Sequence, residues 1–311
     1  MKLRIFLVFI LILSLLSGCK RHEASVKEYS KEGRWEILNF KGKAFLLDCD
    51  NSNVIIKGEK EAKNATIRYI KKIVWNIDDK TSSSKTLSKS GIEKTFNDME
   101  IKIESTLDRL YIKARAYSGE AILANTLSNP KKEFEFEVFL PEKSKVLVQN
   151  SNGNVSISDI QDGSIYIVNG KGNVTITGAK ASIEVKNGEG NIRLDNINGD
   201  FSINNGNGNI NLEVKKAGVF KVIGTKGNIT TKIEELDGVG LSSFVSLGEG
   251  NINFYVGKNV RARIKVNAKG KIQSHFNMIK TGKSYSIDLD SGKNLIEIVN
   301  LNGTVKIAKN Y

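Results

Sequence analysis

The chain has 311 residues, 40% of them hydrophobic, and 47 Lys/Arg against 34 Asp/Glu give it a formal charge of +13. Two cysteines exclude a disulfide framework, and two histidines, His22 and His275, exclude a histidine-built metal site or triad. The positive balance suits anionic partners through a diffuse field, but scattered lysines, few aromatics and no basic helix exclude a nucleic-acid reader.

The N-terminus reads Met1-Lys2-Leu3-Arg4 and then an apolar run from Ile5 to Leu16. Two early charges before so short a run describe a secretory signal rather than a helix that spans a bilayer of ~30 Å. Leu16-Ser17-Gly18-Cys19 comes next and resembles the lipobox of bacterial lipoproteins. The resemblance implies diacylation of the Cys19 thiol and cleavage before it. We therefore expect a signal peptide over 1–18 and a polar, flexible tether over 19–33. The mature chain is then exported and lipid-anchored to the bacterial cell membrane, facing outward. One thiol remains, Cys49, whose setting Leu47-Asp48-Cys49-Asp50-Asn51-Ser52-Asn53-Val54 reads as a shortened copy of the segment from Val146 to Ile157. That alignment puts Cys49 where Val148 faces inward, as a small core hydrophobe.

Residues 34–145 alternate apolar and polar side chains in Trp35–Phe40, Ala44–Cys49, Val54–Lys57, Ala65–Val74, Met99–Ser105, Arg109–Ala116 and Phe134–Leu140. Period-two alternation marks strands with one buried face. Lys80–Gly91 and Gly119–Lys132 read as polar excursions. We expect 34–145 to form irregular β-rich coils and a cap that lead into a regular array beginning at residue 146.

From residue 146 to 311 one pattern returns: two spaced apolar residues, Asn-Gly-x-Gly-Asn, two spaced apolar residues, clearest around Asn187–Asn191 and Asn205–Asn209. Its second glycine recurs at Gly153, Gly172, Gly190, Gly208, Gly227, Gly250, Gly270 and Gly303, in steps of 19, 18, 18, 19, 23, 20 and 33. A step near 18 that later absorbs insertions predicts stacked coils, each covering the apolar face of the last, because one coil alone buries too little to offset its ordering entropy. The predicted class is all-β, a single-stranded parallel β-solenoid with about 18–20 residues per coil. The glycines are the expected structural turns. Asn154, Asn173, Asn191, Asn209, Asn228 and Asn251 would stack as one amide ladder, with Asn150, Asn169, Asn187 and Asn205 beginning a second. A calcium-binding roll would need acidic turn positions, and a hexapeptide helix a third apolar strand, so neither fits. A propeller fails as well, since its blade takes about forty residues. No metal or cofactor is expected.

Pro141-Glu142-Lys143-Ser144-Lys145-Val146, leading into Asn-Gly-x-[Val/Ile]-x-[Ile/Leu] coils, resembles the bacterial "putative adhesin" domain of unknown function, related to the head domain of auto-transporter adhesins. The resemblance implies an exported β-solenoid with no agreed catalytic residues over roughly residues 35–311.

No serine sits in Gly-x-Ser-x-Gly, and the outward carboxylates and arginines, such as Glu184, Arg193 and Asp195, are no denser than a solvated strand face gives. We expect no enzyme and no catalytic residues, with a β-helix polysaccharide lyase or glycosidase as the weakest alternative. The expected function is adhesion or cell-envelope interaction by outward polar rows, with Tyr166, Glu184, Arg193, Asn211 and Lys221 as the binding faces. The expected partners are the membrane through the lipid and an envelope polymer, surface component or membrane protein. An envelope-stress sensor or accessory subunit is the alternative, its contacts made by the insertions Glu235–Gly240 and His275–Lys293.

Overall fold

The computed structural model describes residues 25–77, 89–116, 130–290 and 292–310. The expected signal peptide, Cys19 and the start of the tether lie outside the described residues. Among the described residues the chain is all-β but for one helix, Lys89–Asn97, and its strands join in one mixed, unclosed sheet.

Alternating apolar residues place the strands in two rows. In the first row Arg109–Ala116, Ala44–Cys49, Lys145–Asn152, Gln161–Lys171 and Lys180–Glu189 pair in parallel, in that order. In the second row Lys131–Pro141, Ser52–Glu59, Val155–Ser158 and Val174–Thr177 do the same. The next two strands, Ile192–Asn207 and Ile210–Lys226, are long enough to run through both rows. Beyond them the second row continues through Ile229–Leu236 and Ile252–Asn259, and the first through Leu241–Ser246. Equivalent residues fall in register, as in Val155, Val174, Ile192, Ile210, Ile229 and Ile252, all buried. Inward side chains of both rows share one core. Phe201 and Phe220 stack there at 5.2 Å between centroids, and Phe220 meets Phe244 at 4.9 Å.

The expectation of parallel pairing throughout is corrected at both ends. Ser25–Ile37, Ala65–Ile77 and Lys131–Pro141 pair antiparallel, as do Met99–Ser105 and Arg109–Ala116. Near the C-terminus Ala262–Ala268, Ser284–Leu289 and Ile279–Thr281 are antiparallel neighbours. These antiparallel strands cover the outermost parallel edges of both rows at the N-terminal end, but at the C-terminal end they cover Ala262–Ala268 alone and leave Ile272–Ser274 as an edge.

Three further readings change. Ser25–Gly33, assigned to the tether, lies in a strand, because it pairs residue for residue with 69–77 in an antiparallel ladder. Lys89–Gly91, at the end of a presumed excursion, opens the helix, whose Phe96 is buried. Layer order also departs from chain order. Asn294–Asn300 and Val305–Lys309 insert between the layer of Leu241–Ser246 and Ile252–Asn259 and that of Ala262–Ala268 and Ile272–Ser274. The turn of Gly250 is therefore succeeded in space by that of Gly303, and Gly270 comes last. At the other end Ala44–Glu59 lies between residues 109–141 and 145–158. Pairing depends on which edges are open when a strand arrives, which spacing along the chain does not encode.

Candidate binding faces

The turns of Gly153, Gly172, Gly190 and Gly208 are fixed from inside and outside by asparagine. Asn150, Asn169, Asn187 and Asn205 are buried, and each side-chain amide of the first three donates to the next Oδ1 at 3.1, 3.0 and 3.1 Å. Asn205 ends the run by donating to the carbonyls of Gly190 and Gly208, both at 2.9 Å. Each amide of this run also donates to the carbonyl three residues on, as Asn187 does to Gly190 at 3.2 Å. Such a chain uses the donor and acceptor capacity of each side chain, and aligned amides polarise one another. Outside, the Oδ1 of Asn154, Asn173, Asn191, Asn209 and Asn228 accepts the backbone N–H of the next asparagine, each at 2.9 Å. Asn251 passes this contact to Thr304, at 2.8 Å, in keeping with the altered layer order.

The glycines of the turns, Gly153, Gly172, Gly190, Gly208, Gly227 and Gly250, all have positive φ. At Gly190 φ is +122°, and a β-carbon would overlap the carbonyl of Gly172 in the layer before. The same close approach links Gly208 to Gly190 and Gly227 to Gly208. Conformation and space both demand glycine there.

Cys49 corrects the sequence alignment. Leu47, not Cys49, pairs with Val148, and Cys49 pairs with Asn150. Its thiol Sγ lies 3.4 Å from Asn150 Oδ1, so it occupies the buried asparagine position at the start of the run. The alternation of Phe45, Leu47 and Cys49 against Val146, Val148 and Asn150 carried that register, and matching the Asn-Ser-Asn motif obscured it. Burial pushes the thiol pKa up from 9.0 to about 12. In a Cys19→Ser chain, Cys49 is expected to resist iodoacetamide at pH 8 until urea unfolds the protein; equal rates before and after unfolding would contradict its burial. The unfolded thiol loses its proton near pH 9 and the folded one only near 12. Cys49 therefore lowers stability as pH rises through that window and leaves it unchanged below.

The predicted binding residues fall on opposite rows. Tyr166, Glu184, Ser202 and Lys221 are successive register partners in the first row. Ser156, Thr175, Arg193, Asn211 and Thr230 succeed one another in the second. The structure thus brings Tyr166, Glu184 and Lys221 to one face, and Arg193 with Asn211 to the other. Lys186, missed in the sequence, links the first set: its Nζ lies 2.8 Å from Glu184 Oε1 and 3.3 Å from Tyr166 OH. The hydrogen bond to Glu184, then that to Tyr166, raises its pKa. Arg193 pairs with Asp195 at 3.0 Å. The faces are not polar throughout, because Ile223, Val245 and Val299 are half-buried successive partners on the outer side of the first row.

A cavity of about 660 Å³ lies outside the N-terminal strands, between Arg34, Asn53, Ile55, Arg68, Glu135 and Glu137. Of its charges, Arg68 is paired with Glu137 at 3.1 Å and Glu135 with Lys72 at 2.8 Å. Among the described residues no three His, Cys, Asp or Glu side chains converge as a metal site, and no helix is long and apolar enough to cross a membrane.

No family model matches the sequence, that of the adhesin domain expected from Pro141–Val146 included, and no curated protein matches it. Among solved structures the chain is similar to one described as a putative cell adhesion protein from Clostridium sporogenes ATCC 15579. The identity is 16% and the TM-score 0.24, over 92% of this chain and 100% of that one. Another, described as a putative lipid binding protein from Parabacteroides distasonis ATCC 8503, shares 10% identity at a TM-score of 0.36, over 90% of this chain and 96% of that one. Superpositions this loose leave the chemistry to the residues of this chain.

Proposed function

We propose that this chain is a non-catalytic binding module of the bacterial cell envelope, a β-solenoid over its parallel layers, tethered by lipid on Cys19 and engaging an extended envelope polymer. The observation that carries this reading is the register of the outward rows. Tyr166, Glu184, Ser202 and Lys221 stand one layer apart, as do Ser156, Thr175, Arg193, Asn211 and Thr230. Parallel strands set that spacing at ~4.8 Å, and the asparagine ladders hold it constant. Repeated weak contacts along such a row gain strength from the number of repeats in the ligand, and from several anchored copies acting together.

The test is binding of purified cell-wall and capsular polymers to the Cys19→Ser chain by biolayer interferometry. Affinity is expected to rise with polymer length and to fall in a Tyr166→Ala/Lys221→Ala variant whose thermal melt is unchanged. Affinity independent of length and of these residues would remove the reading. Proximity labelling in cells that compares the lipidated chain with Cys19→Ser tests the anchor: neighbours at the membrane should vanish with the lipid.

A further inference from the structure

We propose that the C-terminal end of the stack is a phosphate-binding site that takes a linear, phosphate-rich polyanion. A cavity of about 580 Å³ opens between the turn Ala268–Ile272 and the hairpin that carries Met278, Lys280, Lys283 and Tyr285. Four exposed lysines, Lys269, Lys271, Lys280 and Lys283, line it, and among the described residues no carboxylate does. Lys280 stands over the Tyr285 ring, 5.9 Å from its centre, and Met278 and Ile272 supply the apolar part of the wall.

The second contribution comes from the main chain. In the layer of Gly250 the glycine N–H donates to Asn302 O at 3.3 Å and the N–H of Ile252 to Thr304 O at 2.9 Å, both in the adjoining layer. The layer of Gly270 is the last, and Ile272–Ser274 is the edge strand of its row. Among the described residues the equivalent N–H groups of Gly270 and Ile272 have no further layer to receive them. Open donors at a sheet edge, ringed by ammonium groups, form a concavity suited to an oxyanion. The surroundings reinforce it: residues 258–309 hold eleven Lys/Arg against three Asp/Glu.

The use of lysine throughout, compact and rotatable, suits phosphates that arrive in many orientations, whereas arginine forks select one. Location selects a polymer over a lipid headgroup. Ten layers among the described residues separate this cavity from the end where Ser25–Ile37 leads back toward Cys19. At ~4.8 Å per strand the cavity stands about 50 Å from that end. This choice rests on the proposed anchor: with Cys19 in the membrane, a lipid headgroup lies at the wrong end, and an extended polyanion is the ligand that reaches this one.

The probes are linear polyphosphate, inorganic phosphate and phosphatidylglycerol vesicles, titrated into the full Cys19→Ser chain. Lys269, Lys271, Lys280 and Lys283 are changed together to Gln. A control changes Lys41, Lys60, Lys63 and Lys145 to Gln, for the same loss of charge far from the cavity. The cavity variant is expected to bind polyphosphate at least about tenfold more weakly and to lose about 3 from the slope of log K against log salt, at ~0.7 per phosphate contact. The control should change little, and the melts of both should match the parent. Equal losses in the two variants would reduce the site to a diffuse field and overturn the proposal, as would a loss seen only with vesicles or only with inorganic phosphate. Polymer binding lost through Tyr166→Ala/Lys221→Ala but kept in the cavity variant would sink this inference and leave the row reading standing.

Discussion

Replacing Asn187 by Leu is expected to destabilise the protein by about 2–5 kcal/mol, with the folding midpoint in urea as the measurement. The substitution leaves two buried groups without partners: one Nδ2 hydrogen of Asn169, which donates to Asn187 Oδ1 at 3.0 Å, and Asn205 Oδ1, which accepts from Asn187 at 3.1 Å. Each orphaned group costs roughly 1–3 kcal/mol in the interior, and the added apolar contact recovers only part of that. Gly190 O keeps its bond from Asn205, so the damage stays within the amide run. Asn187→Asp sharpens the test. A carboxylate there accepts from Asn169 but faces the oxygens of Asn205 and Gly190, so its folded pKa is raised. The resulting loss is absent below the unfolded carboxylate value near 4 and grows as pH rises toward the folded one. A Leu variant as stable as the parent would show that the run contributes nothing net.

The second large effect is expected at the glycine turn. Gly190→Val should cost about 4 kcal/mol, because positive φ adds roughly 1–3 kcal/mol of strain and the β-carbon forces the Gly172 carbonyl away for a further ~1–3 kcal/mol. Two controls separate these causes. Gly188 has no positive φ, but a β-carbon there would overlap the carbonyl of Gly170, so Gly188→Ala reports crowding alone. Gly282 has φ +61° and nothing within 4 Å of a β-carbon, so Gly282→Ala reports conformation alone. Thermal melts should rank Gly190→Val lowest and Gly282→Ala nearest the parent. If Gly282→Ala is as damaging as Gly190→Val, the close approach of layers is not what fixes glycine in the turn.

Much of the middle of the molecule was legible in the sequence. Apolar residues two apart name the inward side chains from Val146 to Phe254, and the returning Asn-Gly-x-Gly-Asn names the residues that meet at each turn. These are local constraints: strand alternation decides which side chains face the core, and positive φ beside a close carbonyl admits glycine alone. The outward rows containing Tyr166 and Arg193 follow from the same register once the step near 18 is known.

Where local pattern ended, pairing decided. Gly270 and Gly303 carry the same turn signal, yet the later segment lies inside the earlier one, because a strand joins the edge that is open to it. Cys49 became a ladder residue through its partner Asn150, and Ser25–Gly33 became a strand through its partners at 69–77. Lys269, Lys271, Lys280 and Lys283 read as scattered charges along the chain, and only the hairpin folded against the last turn gathers them around one cavity. The sequence by itself determined which residues face the core and which turns need glycine, since those depend on near neighbours. The order of the layers, the capping of their ends and the gathering of that charge were decided by the tertiary structure, because each depends on contacts between segments that the chain does not place side by side.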